Sequence, residues 1–248
     1  MKDRGQIKRR VTNRIYKLSK RELERITNGE RLTDIHITTA SQLLQQQFPN
    51  VGGLYSPSLA YDLSFDPVNG SFIQILHTGT NHWVTVEGVD DSLVRVYDSL
   101  YTSTTTSTRM SVAALAETSK HQITVQIAAT QFQKGGTDCG VYAIAYATDL
   151  CHGNNPASYR YNQDKMREHL LQCFKERKLT PFPSVCIHGL KPINTEKIDV
   201  FCTCRLPHMV DEPMAFCPCC REWYHSTCED IPEYIFTNKN AKWKCSRC

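Results

Sequence analysis

The chain has 248 residues, of which 40% are hydrophobic and 22% charged, and its formal net charge is +4. That hydrophobic share is too high for a wholly disordered chain, and the length suits one medium domain followed by a smaller one. The longest apolar runs, such as 140–147, are far shorter than the roughly 20 residues that span a bilayer. The first 25 residues carry ten Lys or Arg and three Asp or Glu, so they lack the apolar centre of a signal peptide. We therefore expect an intracellular protein with no membrane partner.

A basic arm, residues 1–29, precedes the first predicted domain. Its charge is typical of a nuclear address or of weak contact with nucleic acid. A solvated tail is an equally simple interpretation, because short basic runs are common. The arm favours a nuclear location and offers only a weak indication of nucleic-acid binding.

From Thr33 the pattern is helical, with apolar residues at helical spacing until Pro49 ends the run. Four short β-branched runs then predict strands, at 72–76, 82–87, 93–98 and 123–127. The segment 102–108 contains only Ser and Thr, which predicts an exposed loop. Two helices are predicted next, a buried Ala-rich one over 141–150 and an amphipathic one over 163–175.

Two of the predicted strands flank a turn at 88–92. A hairpin centred on Asp90 places His82 directly opposite Asp98, so that both side chains lie on one face. A carboxylate in that position can accept a hydrogen bond from the imidazole and hold its tautomer. A pairing error of one residue would put the two on opposite faces.

A glycine-rich loop, 135–140, leads into the buried helix and places Cys139 near its first turn. A helix amino terminus favours the thiolate, and a nearby His lowers the pKa of the thiol further. Backbone N–H groups at that terminus can face a developing oxyanion, and Gln133 can add an amide donor. Because an isolated Cys in an apolar helix is more often a packed core residue, the prediction depends on the whole combination.

That combination resembles the ubiquitin-like-protein (SUMO) proteases, which are papain-like, adenovirus-type cysteine peptidases. The resemblance is carried by His82-Trp83, Asp98, Gln133 and an Asp-Cys-Gly around Cys139. It covers roughly residues 30–180 and implies an α+β fold, with helices packed on a mixed sheet.

The resemblance also implies roles for these residues. Cys139 is then the nucleophile, His82 the general base, Asp98 its orienting partner and Gln133 the oxyanion donor. Trp83, together with Asp34 before the first helix, is then expected to contact the substrate.

One position departs from the pattern of the SUMO-specific members. These commonly flank the terminal Gly-Gly of the substrate with two tryptophans. Trp83 matches the first, but Arg31 stands where the second is expected. The overall sequence is closer to protease-like proteins of animal transposable elements, so the expected substrate is either a ubiquitin-like modifier conjugate or a polyprotein, cleaved after a carboxy-terminal glycine.

The tail contains eight ligand-type residues in four pairs: Cys202, Cys204, Cys217, Cys220, His225, Cys228, Cys245 and Cys248. Eight such ligands suit two structural zinc ions, Zn²⁺, which would supply much of the folding free energy of so small a domain. A disulfide set is disfavoured by His225 and by the missing signal peptide. Cys219 is a spare thiol beside Cys220.

The ligand order, with Trp223-Tyr224-His225 and Trp243, resembles the PHD finger. The resemblance implies cross-braced zinc sites, one of Cys202, Cys204, His225 and Cys228, the other of Cys217, Cys220, Cys245 and Cys248. PHD fingers often bind histone tails, and the residues at the positions of a methyl-lysine cage are Phe201, Met214 and Trp223. A RING-variant ligase finger shares the ligand order and stays as an alternative.

Four segments are therefore predicted: a basic arm (1–29), a peptidase domain (30–184), a linker (185–199) and a PHD-type zinc finger (200–248). The first hypothesis is an active cysteine (iso)peptidase held at chromatin by its finger. The second is a degenerate peptidase fold that only binds chromatin.

Overall fold

The computed structural model describes residues 15–187, 191–238 and 241–248. The first half of the predicted basic arm, residues 1–14, lies outside the described residues. Within the described ranges, no helix is long and apolar enough to cross a membrane.

The described residues form six α-helices: α1 (Lys20–Thr27), α2 (Asp34–Gln47), α3 (Thr106–Leu115), α4 (Cys139–Cys151), α5 (Gln163–Glu176) and α6 (Tyr234–Thr237). They also form ten strands: β1 (Gly52–Gly53), β2 (Phe72–His77), β3 (Trp83–Gly88), β4 (Leu93–Tyr97), β5 (Gln122–Ile127), β6 (Tyr159–Tyr161), β7 (Ser184–Cys186), β8 (Asn194–Asp199), β9 (Met214–Cys217) and β10 (Glu222–His225).

A six-stranded mixed sheet in the order β1-β2-β3-β4-β5-β8 is the centre of the larger domain. The strands β2, β3 and β4 pair antiparallel, β4 and β5 pair parallel, and β8 pairs antiparallel with β5. One face packs against α4, whose apolar core also includes α2 and α5, and the other face packs against α3, so the sheet has an apolar core on each side. The mixed sheet with helices agrees with the expected α+β class.

The later part of the predicted basic arm contains the helix α1, Lys20–Thr27. Ser19 and Glu22 form a capping box at the start of α1, in which each side chain bonds the backbone of the other. Ile26 is completely buried, and it anchors α1 to the core through one apolar residue. Of the charged residues of this helix, Lys20, Arg21 and Glu24 are exposed.

The Ser/Thr segment 102–108 was expected to be a loop, but α3 begins within it. Thr105 accepts a hydrogen bond from the Thr108 amide at 3.2 Å and donates one to the Thr78 carbonyl at 2.8 Å. Hydroxyl side chains are favoured as helix caps, and the apolar residues that follow, Val112 and Leu115, are completely buried. The Ser/Thr composition of 102–108 is therefore that of a helix cap and the start of a packed helix, which composition alone does not distinguish from a loop.

The predicted linker, 185–199, contributes strands instead. Residues of β7 pair with β6, and all six residues of β8 pair with β5. The side chain of Ile198 is completely buried, which fixes the inward face of β8. Pro181, Pro183 and Pro192, which favoured a linker in the sequence, lie before β8 and do not interrupt it. Val200 then donates to the His121 carbonyl at 2.9 Å.

Candidate active site and metal centres

His82 directly precedes β3 and Asp98 directly follows β4, so the two residues lie at the same end of two neighbouring strands inside the sheet. The β3–β4 pairing matches Thr85 with Tyr97 and Gly88 with Val94, so the predicted register is wrong by two residues. Because the side chains of a strand alternate with a period of two, this error keeps both residues on the same face. His82 Nε2 lies 2.7 Å from Asp98 Oδ1, and both side chains are buried.

The carboxylate of Asp98 is itself held in place. Oδ1 also accepts hydrogen bonds from the backbone amides of Leu100 at 2.7 Å and Tyr101 at 3.0 Å. The ring of Tyr101 contacts the imidazole edge to face, with 5.2 Å between centroids. An acceptor at Nε2 assigns the ring proton to that nitrogen, so Nδ1 of the neutral ring carries a lone pair.

Cys139 is the first residue of α4 and its side chain is 2% exposed. Burial alone would raise the pKa of the thiol, but His82 and backbone hydrogen bonds from Trp83 and Gly140 hold it below the usual value. A lowered thiol pKa at a helix amino terminus is the arrangement that activates a cysteine nucleophile.

The imidazole of His82 is shifted in the opposite direction. Burial opposes its charge, but the bond to Asp98 and the neighbouring Cys139 raise the pKa of His82 to about 9. Nδ1 is buried and has no hydrogen-bond partner among the described residues, although the thiol is near enough for each group to shift the pKa of the other. The pair therefore favours a thiolate beside an imidazolium.

Gln133 lies on the loop between β5 and α4. Its carbonyl oxygen accepts from the Ser99 hydroxyl at 2.7 Å, which fixes the orientation of the amide. Its nitrogen donates to the Gly135 carbonyl at 3.0 Å, and an amide nitrogen has two protons to donate. The position of Gln133 beside the glycine loop is compatible with the predicted oxyanion role, which stays a prediction.

The residues expected to contact the substrate lie in different environments. Trp83 is 5% exposed, and its indole nitrogen donates to the Leu32 carbonyl at 3.3 Å. Asp34 is exposed at the start of α2. Arg31 is also exposed, and its guanidinium donates to the Asn81 carbonyl at 3.5 Å, directly before His82. The positive charge of Arg31 thus lies beside the residue that precedes His82 and beside Gly136 of the glycine-rich loop.

Three polar residues near the site were not identified from the sequence: Ser99, Gln163 and Arg167. Ser99 directly follows Asp98 in the sequence, so its closeness to the predicted site could have been inferred from its position. Gln163 and Arg167 come from α5 and bond Asp138, at sequence separations of 25 and 29 residues. No periodicity or short motif connects residues so far apart, and only the folded chain brings them together.

The tail brings its eight predicted ligands together as two groups. One contains Cys202, Cys204, His225 and Cys228, the other Cys217, Cys220, Cys245 and Cys248, and within each group the ligand atoms lie within 4.8 Å of one another. These are the two cross-braced sets expected from the sequence. Sulfur and imidazole donors in sets of four are suited to a closed tetrahedral metal site, so both groups could hold a metal ion.

The three predicted cage residues come from two segments of the tail. In the β9–β10 hairpin Trp223 pairs with Phe216, and Met214 pairs with His225, so Trp223 and Met214 share a face. Phe201 instead bridges to Leu206 and packs against the buried cysteines. Phe216 was not predicted, yet the centroid of its ring lies 5.4 Å from that of Trp223, and both residues are more than 40% exposed.

Comparison with known proteins supports the fold of the larger domain. No model of a known protein family matches the chain. NEDD8-specific protease 1 of Schizosaccharomyces pombe is 27% identical over 121 residues, which cover 44% of this chain and 29% of that protein. The chain thus spans less than a third of the length of this curated relative.

Solved structures give a likeness over a larger part of the chain. The carboxy-terminal Ulp1 protease domain, solved in complex with Smt3, the yeast ortholog of SUMO, matches with a TM-score of 0.50 and 13% identity. That match covers 63% of this chain and 82% of the domain. A de-sumoylating protease matches with a TM-score of 0.50 and 10% identity, over 64% of this chain and 86% of the other. The larger domain therefore has the Ulp1-like cysteine protease fold.

Proposed function

We propose that the chain is a cysteine-type (iso)peptidase that cleaves after the carboxy-terminal glycine of a ubiquitin-like modifier. The observation that carries the proposal is Cys139 at the start of a buried helix, with a lowered thiol pKa, beside a His82 that Asp98 orients. What favours a nucleophile over a packed cysteine is the combination of the helix amino terminus, the imidazole beside the thiol and the carboxylate that orients that imidazole.

The reaction follows from this geometry. The thiolate of Cys139 attacks the glycine carbonyl, and the oxyanion is stabilised by N–H groups of the first turn of α4 and by the amide of Gln133. The imidazolium of His82 protonates the leaving amine, and a thioester remains. Neutral His82 then removes a proton from water, which hydrolyses the thioester and restores the thiolate.

The substrate class is supported by the relatives. The curated relative is named for NEDD8, and the Ulp1 domain was solved with a SUMO ortholog. We propose a ubiquitin-like modifier conjugate as the substrate, and a polyprotein with a similar glycine end as the alternative. A nuclear location and an origin in a mobile element stay predictions.

Modifier probes with a carboxy-terminal electrophile test the proposal. We expect SUMO, NEDD8 or ubiquitin carrying a vinyl ester to label the unaltered protein covalently, and Cys139→Ala to abolish labelling. Cys186→Ala is the matched control, because this thiol is exposed and lies on β7. If no probe labels the unaltered protein and no glycine-ended peptide is cleaved, the chain is a binding protein with a peptidase fold.

We propose that the two ligand groups of the tail bind zinc, because four Cys or His ligands suit a closed tetrahedral zinc site.

We also propose that the finger binds a histone tail as a second function. The observation that favours it is the exposed pair Phe216 and Trp223, with Met214 on the same face. Aromatic faces attract a methylated ammonium group. Titration with histone peptides carrying unmodified or trimethylated lysine tests this, and Trp223→Ala should abolish binding while Tyr234→Ala, an exposed aromatic outside the hairpin, should not. Equal binding by both variants would contradict the proposed cage.

A further inference from the structure

The loop before α4 is bound to α5 through one carboxylate. Asp138 is the capping residue of α4, yet its side chain makes no hydrogen bond to the helix. Its Oδ1 accepts from Arg167 Nε at 2.7 Å and lies 2.6 Å from Nη2, while Oδ2 accepts from Gln163 Nε2 at 2.5 Å. The side chains of Asp138 and Arg167 are only 15% and 16% exposed.

This arrangement is unusual for an aspartate at a helix cap. Such a carboxylate normally accepts from the amide of the second or third helical residue. If the carboxylate of Asp138 accepted such a hydrogen bond, it would occupy N–H groups of the first turn of α4. The proposed reaction needs these N–H groups to stabilise its oxyanion. It would also bring a negative charge towards the Cys139 thiolate, and a like charge raises the pKa of a thiol.

The guanidinium of Arg167 is fixed from several sides. Nη1 donates to the Ile26 carbonyl at the end of α1, at 3.1 Å, and Nη2 donates to the Thr137 carbonyl at 3.3 Å. A planar fork with several donors suits a carboxylate and two carbonyls at once. Arg167 is therefore held in place and is not a mobile surface cation.

We propose that Arg167 is a positioning residue that keeps the carboxylate of Asp138 off the amino terminus of α4. The first-turn N–H groups and the Cys139 thiolate are then free to act on the substrate. The benefit for the reaction rests on the proposed function, but the effect on the thiol can be measured without any substrate.

A plain anchoring role makes the opposite prediction. If the only role of Arg167 were to anchor the loop, that anchor would consist of Arg167 and Asp138 together. Removing either residue would then change the alkylation of Cys139 in the same way. If Arg167 instead restrains the carboxylate, removing Asp138 as well should restore the reactivity of Cys139 that is lost when Arg167 is removed.

The experiment measures alkylation of Cys139 by iodoacetamide as a function of pH, quantified on the peptide that contains Cys139. We expect Arg167→Met to raise the midpoint by about one pH unit, which lowers the thiolate fraction about tenfold below the midpoint. The double variant with Asp138→Ala should return to the midpoint of the unaltered protein. Lys165→Met, which removes an exposed cation of the same helix, should not move it.

The other charged groups around Cys139 come from different elements and are unchanged in all these variants: His82 before β3, Asp98 after β4, and Arg31, whose guanidinium lies beside Gly136. An unmoved midpoint in Arg167→Met would overturn the proposal, and so would a double variant that keeps the raised midpoint. If Arg167→Met does not fold, Arg167→Lys, which keeps the charge but not the fork, should show a smaller shift that Asp138→Ala again removes. Failure of the proposed function would be seen separately, as absent probe labelling with these alkylation shifts intact.

Discussion

At the scale of single residues, the opposite pKa shifts of Cys139 and His82 define a pH window. The thiolate is lost as the pH falls through the lowered pKa of Cys139, and the imidazolium is lost as the pH rises through the pKa of His82, at about 9. Between these limits both groups carry the charge that the first step requires. Peptidase activity should therefore follow a bell-shaped pH profile.

Asp98 sets the alkaline limit of this profile, because its bond to His82 favours the imidazolium. We predict that Asp98→Asn moves the alkaline limb from about pH 9 towards the ordinary histidine range and lowers kcat by roughly 10⁴-fold. Asp91→Asn, which alters an exposed acid paired with Lys120, should leave the profile unchanged. An alkaline limb that stays in place in Asp98→Asn would show that another group determines it.

A second prediction at this scale concerns Arg31 and the selectivity for the carboxy-terminal residues of the substrate. A glycine end must reach Cys139 as a thin extended segment. The exposed guanidinium of Arg31, next to Asn81, excludes bulky side chains less well than a fixed aromatic ring would. Loss of one aromatic contact costs about 1–3 kcal/mol, which is about tenfold to a hundredfold in selectivity. We predict weak discrimination among peptides ending in Gly-Gly, Ala-Gly and Ser-Gly.

The matching substitution is Arg31→Trp, which should shift the preference towards Gly-Gly. Fluorogenic peptides with the three endings, measured as kcat/KM on both proteins, give the comparison. Arg21→Trp on α1, at another exposed arginine, is the control. Strict Gly-Gly preference in the unaltered protein would mean that a different residue forms the second wall.

At the scale of elements, the start of α4 is fixed by close packing as well as by hydrogen bonds. A Cβ added at Gly140 would lie 2.9 Å from Cβ of Leu32, which is 4% exposed. We predict that Gly140→Ala displaces the segment before α2 and lowers the free energy of unfolding by about 1–3 kcal/mol. Thermal unfolding measures this, with Gly153→Asn as a control at a positive φ of 79° and with open space for a side chain. Equal unfolding temperatures for Gly140→Ala and the unaltered protein would contradict the packing argument.

Elements also show what a sequence can and cannot predict. The face shared by His82 and Asp98 was predictable because alternation survives a two-residue shift of the hairpin. The helix α3 was not predicted because Ser and Thr are common both in loops and in helix caps. The strand β8 was not predicted because Pro181, Pro183 and Pro192 before it are typical of a linker. The bond between Arg167 and Asp138 depends on the packing of α5 beside α4, which no local pattern contains.

At the scale of the whole molecule, the metal sites and the sheet should respond differently to a chelator. We expect two zinc ions per chain by metal analysis, since the ligands form two groups of four. Removing them should speed amide hydrogen exchange throughout 200–248, because such a small domain depends on its metals. The strands β2 to β5 should stay protected, and so should β8, whose Glu196 pairs with Arg109 at 3.4 Å. One zinc per chain, or loss of protection in β2 to β5, would contradict this division.

The position of β8 has a consequence for self-association. Without it, β5 becomes a sheet edge whose inward residues Ile123, Val125 and Ile127 are almost completely buried in the intact chain. An uncovered edge of this kind offers unpaired N–H and C=O groups to the same edge of another molecule. A chain ending at residue 187 should therefore form oligomers in light scattering, whereas one ending at residue 200 should remain monomeric. Equal behaviour of the two would mean that β5 needs no covering strand. The expected difference would show that the segment before the proposed zinc finger keeps the larger domain from aggregating.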